Sequence, residues 1–170
     1  MPDWNARRIL KELVDADRRR AILADFWRFG DEETRAAAQA FLAKALHFRD
    51  ASIRKLPAEK KAELLASRAS LPELDQTFEA ALMHYHTHEQ NEMLGAFLDA
   101  WRIPHVNGSI ETDDYAPPTA EQVRAAVREL HGRFDARDVA IYLATLGLLM
   151  GEPWDGAAWP VVDEVMPTSA

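Results

Sequence analysis

Residues 70–102 read SLPELDQTFEAALMHYHTHEQNEMLGAFLDAWR, and the class of fold turns on them. Ser70 ahead of Leu71-Pro72 has the form of a helix cap followed by proline in the first turn, where a missing N–H is tolerated. No proline recurs before Pro104, and Phe78, Leu82 and Tyr85 stand four and three apart, one stripe of a helix. The stretch therefore predicts a third long helix over about 71–102. In its second half Leu94, Phe97, Leu98 and Trp101 fall on a different side, so the helix is expected to change packing partners midway or to bend at Gly95.

The same periodicity extends in both directions. Ile9, Leu10, Leu13, Val14, Ile22, Leu23, Phe26 and Trp27 make a helical stripe over 4–29, interrupted by the polar run Asp15 to Arg20. Gly30 ends that element, and Asp31-Glu32-Glu33 opens the next with a cap and two carboxylates at the positive end of the helix dipole. That second helix is expected over about 32–55, and a short charged one over 58–67 after Pro57. Thr119-Ala120-Glu121-Gln122 is a capping box by residue type, and Asp135 caps a last helix over 136–150 that is apolar on most faces and so belongs in the core.

Between Ile103 and Pro118 the helical pattern stops. Asn107-Gly108 is the turn chemistry of a two-residue hairpin, with Pro104 confining any strand there to an edge. The tail 151–170 carries Pro153, Trp154, Trp159 and Pro160 and reads as irregular and aromatic. The expected fold is all-α: a bundle-like single domain, 1–170, of about six helices, with a long loop or small hairpin near 103–118.

Composition narrows the function classes. The 170 residues contain no cysteine, which removes disulfides, thiolate zinc sites and cysteine nucleophiles. A net charge of −8 repels phosphate backbones and anionic lipid, so neither nucleic acid nor membrane is the expected partner. The longest apolar run, Val139 to Met150, is shorter than the roughly 20 residues a membrane-spanning helix needs. The N-terminus has no basic segment leading into an apolar run, so the protein is expected to be cytoplasmic.

One local cluster invites chemistry. His84, His88 and Glu92 stand at i, i+4 and i+8, one row of a continuous helix, and imidazole with carboxylate suits Zn²⁺, Fe²⁺ or Mn²⁺. These three are the candidate ligands of a divalent first-row metal. Glu89 lies toward the apolar stripe, where a carboxylate needs a partner, and is the candidate general base or further ligand. His86 points away from the row. The zinc-protease spacing is not met, since Tyr85 stands where its glutamate belongs. Carboxylate-bridged di-metal bundles need Glu-x-x-His on two helices, and His47 and His131 lack that partner.

His105, Glu111, Asp113 and Asp114 in the following loop are further candidates to complete a site. No Gly-x-Ser-x-Gly elbow, P-loop or dinucleotide fingerprint occurs. The leading expectation is a non-enzymatic binding or assembly module that engages a protein partner or a second copy of itself. The alternatives are a metal-binding protein or enzyme built on residues 84–92, and a pH-responsive module based on histidines beside carboxylates.

Overall fold

The computed structural model describes residues 5–110 and 119–149. Glu111, Asp113, Asp114 and the aromatic tail lie outside the described residues. The all-α expectation holds: the elements are α1 (Ala6–Arg8), a π-helical turn (Ile9–Leu13), α2 (Ala16–Phe29), α3 (Glu32–Ala45), α4 (Asp50–Arg54), α5 (Ala58–Ala66), a 3-10 turn (Pro72–Leu74), α6 (Asp75–His88), α7 (Asn91–Ala100), a two-stranded hairpin, α8 (Ala120–Arg133) and α9 (Ala136–Leu149). The six helices expected from periodicity become nine α-helical segments among the described residues, because three of the six are each divided once.

Each division has a local cause. The first falls at Val14, whose extended backbone (φ −97°, ψ 124°) separates the π turn from α2. There the Arg19 guanidinium donates to the carbonyls of Leu10, Lys11 and Val14, supplying donors that the helix end lacks. The second is a left-handed residue, His47 (φ 55°). The His47 N–H donates to Lys44 O at 3.2 Å and the Phe48 N–H to Ala43 O at 2.9 Å, the paired bonds of a Schellman motif that ends α3. The third lies at Glu89–Gln90, where Gln90 leaves the helical region (φ −120°, ψ 27°) and α7 begins at Asn91. Gly95 stays helical. The break comes where the apolar stripe moves from the Phe78–Leu82 side to the Phe97–Trp101 side.

The described residues gather into two compact units, an N-terminal one of residues 5–85 and a C-terminal one of residues 86–110 and 119–149. In the N-terminal unit α2 packs chiefly on α5: Ile22, Leu23, Phe26 and Trp27 are buried from one, Ala62 and Leu65 from the other. Asp15 and Asp31 cap α2 and α3 through their carboxylates, accepting from the Arg18 and Thr34 N–H groups. The start of α6 is tied to α1 by Arg7, which donates to Asp75 at 2.6 Å and to the Ser70 carbonyl at 3.1 Å.

In the C-terminal unit α7 packs on α8. Its core includes Met93, Phe97, Val123, Val127, Leu130, Val139 and Tyr142. Thr119 and Gln122 form the expected capping box at the head of α8. The expected hairpin is present, pairing His105 with Ile110 and Val106 with Ser109. Asn107 (φ 51°) and Gly108 (φ 83°) both take the left-handed turn that this residue pair favours. A Cβ on Gly108 would stand 2.9 Å from the Leu94 side chain, so packing as well as φ requires glycine. Among the described residues no helix is long and apolar enough to cross a membrane.

Candidate functional site

His84 and His88 remain one turn apart on α6, but Glu92 belongs to the first turn of α7, beyond the break at Glu89–Gln90. The i, i+4, i+8 row assumed an uninterrupted helix, and the turn takes Glu92 out of it. Glu92 is exposed and faces Arg133, with 3.6 Å between its Oε1 and Nη2. Glu89 lies in the turn itself and is exposed, so it does not carry the buried charge that the wheel projection implied. Among the described residues no group of three or more His, Asp or Glu side chains is disposed to hold a metal ion.

The histidine set aside by the sequence reading is the buried one. His86 is 5% exposed. Its Nε2 lies 3.1 Å from Thr145 Oγ1, and the Thr145 hydroxyl donates to Ile141 O at 2.8 Å. With the single hydroxyl proton engaged there, Nε2 carries the imidazole proton and donates to Thr145. The signal that finds it is positional: His86 follows Phe78 and Leu82 at i+8 and i+4, in the buried row of α6. Its ring meets Tyr142 edge-on at 5.4 Å, Tyr142 meets Phe97 at 5.3 Å, and Phe97 meets Trp101 at 4.2 Å. These rings make an aromatic column through the C-terminal unit. The Tyr142 hydroxyl, wholly buried, has no hydrogen-bond partner among the described residues, and burial pushes its pKa up.

Beside the hairpin lies a polar cleft of about 320 Å³, lined in part by Glu92, Gly95, Asp99, His105 and Arg133. Gly95 lets the His105 ring lie against α7; a Cβ there would stand 3.2 Å from the ring's Cε1. The Gly108 N–H donates to His105 Nδ1 at 3.1 Å, which leaves the ring proton on Nε2, donated to Asp99 Oδ1 at 3.1 Å. Both nitrogens are therefore engaged. A neutral imidazole held this way has no lone pair for a substrate proton or a metal ion unless the turn opens. His105 thus acts here as a clamp between the hairpin and α7.

Comparison with protein-family models, with curated proteins and with solved structures returns no match. The geometry of this chain is then the guide to its role. On the N-terminal unit, Phe29 closes α2 with 70% of its surface exposed, and its ring stacks on His84 with 6.4 Å between centroids and 25° between planes. Met83, beside His84 in α6, is 48% exposed. Phe29 stands two residues past Trp27, outside the helical stripe read from the sequence. Its place at the helix end turns it outward.

Proposed function

We propose that this chain is a non-enzymatic assembly module that self-associates through the face carrying Phe29, His84 and Met83. The observation that carries the reading is Phe29, a large apolar ring held outward against a histidine ring at the end of α2. The outward face of the Phe29 ring is a flat apolar surface, and a two-fold axis presents such a surface to itself. The saturated hydrogen bonding of His105 supports a role without proton transfer.

The expected affinity is modest. Burying Phe29 and Met83 from each of two copies contributes on the order of 6 kcal/mol, most of which is offset by the cost of association, so the dimer is weak, with Kd no tighter than the millimolar range. Two copies of charge −8 repel each other, so added salt strengthens the dimer by screening. Sedimentation equilibrium across protein and salt concentration reads this directly. Wild type shifts toward dimer as both rise, whereas Phe29→Glu remains monomeric with unchanged circular dichroism. A wild type that sediments as a monomer throughout the millimolar range overturns the proposal.

A further inference from the structure

A groove of about 460 Å³ in the N-terminal unit is lined by residues of α2, α3, α4 and α5, among them Trp27, Glu32, Arg35, Gln39, Arg54 and Lys61. Three of these are cations, in a chain of net charge −8. Arg54 is compensated, since it donates to Asp50 at 3.0 Å. Arg35 and Lys61 are held in place by neutral groups instead. Arg35 Nη1 donates to the Trp27 carbonyl at 3.2 Å, and Lys61 Nζ donates to the Arg54 carbonyl at 3.1 Å and stands 5.1 Å from the Trp27 ring centroid. Among the described residues neither Arg35 nor Lys61 forms an ion pair with a carboxylate, although Glu32 lines the same groove.

Neighbouring groups raise the cost of keeping both cations here. Burial, and secondarily the charge of Arg35, hold the Lys61 ammonium below the ordinary lysine range. Trp27 is only 6% exposed, and its indole N–H has no acceptor among the described residues. Arg35 keeps N–H donors beyond its two backbone contacts, and Lys61 keeps donors beyond its one. Two cations with unused donors and, among the described residues, no ion pair match at one groove the charge of a dianion. A monocarboxylate would neutralise only one of them. The groove also exceeds the size of a bare phosphate and is in the range of small-molecule sites.

We propose that this groove binds a small organic phosphomonoester, its phosphate seated between Arg35 and Lys61 and its organic part lying along the groove toward Gln39. This inference is independent of self-association through Phe29.

Calorimetric titration of the full chain with phenyl phosphate, with inorganic phosphate and with benzoate, at matched ionic strength and pH 7.5, tests it. Phenyl phosphate is expected to bind tightest and benzoate at least about tenfold more weakly, because charge-assisted contacts to both cations are lost. Lys61→Gln, which retains a donor for the Arg54 carbonyl, weakens phenyl phosphate at least about tenfold, Lys61→Arg recovers most of that loss, and Lys60→Gln leaves binding unchanged. Melting curves of each variant separate lost binding from lost folding, and the Lys61→Arg and benzoate arms stand if Lys61→Gln proves unstable. Equal affinity for phenyl phosphate and benzoate, no binding of either, or wild-type binding by folded Lys61→Gln overturns the proposal.

Discussion

Replacing Tyr142 with phenylalanine is expected to stabilise the protein. The Tyr142 hydroxyl is wholly buried, with no hydrogen-bond partner among the described residues, and the ring packs edge-on against both His86 and Phe97. An unsatisfied buried hydroxyl costs about 1–3 kcal/mol, because it gives up its bonds to water and gains none. Tyr142→Phe removes that cost and leaves both ring contacts. The opposing effect is the small void where the oxygen stood, on the order of 15 Å³, worth about 0.4 kcal/mol at about 24 cal/mol per Å³. The desolvation effect wins, leaving a net gain of about 1–2 kcal/mol, or a melting temperature higher by about 3–6 °C for a domain of this size. Urea denaturation followed by far-UV circular dichroism gives the free energy, and calorimetry gives the melting temperature. A variant equal to or less stable than wild type refutes the reasoning, since the hydroxyl must then be bonded.

His47→Gly is expected to add about 1 kcal/mol to stability, since a left-handed residue ending α3 is relieved of its Cβ strain; a lower urea midpoint would contradict that origin of the turn. Glu79 is held above the ordinary glutamate range by burial and by the neighbouring Asp75 charge. Its folded-state pKa is thus raised, so its contribution to stability is full below the unfolded value and is lost as pH rises through the folded one. The stability of Glu79→Gln relative to wild type should therefore increase on going from pH 4 to 7, and a difference that stays flat would exclude the effect. With Glu92 on a separate helix and no third ligand grouped with His84 and His88 among the described residues, micromolar Zn²⁺ should leave the melting temperatures of untagged wild type and His88→Ala equally unaffected. A rise in wild type that His88→Ala abolishes would instead favour metal binding at this pair.

How much was legible in the sequence depended on the range of the interaction. The Asp31 cap, the Thr119–Gln122 capping box and the Asn107-Gly108 hairpin involve groups a few residues apart, and each formed where the residue types indicated. Periodicity likewise predicted the burial of Phe26 and Phe78. The divisions at His47 and Gln90 carried no glycine or proline to announce them. The misplacement of Glu89 and Glu92 followed directly, because a wheel projection is valid only while the helix continues.

By itself, then, the sequence determined a cysteine-free, acidic, all-α chain and most of its helix starts, because cap geometry and the 3.6-residue repeat are local properties. Tertiary structure alone decided which polar groups meet. It buried His86 against Thr145, engaged both nitrogens of His105, turned Phe29 outward onto His84, and brought Arg35 of α3 and Lys61 of α5 to one groove. Those meetings depend on how helices distant in sequence pack, and no spacing along the chain encodes them.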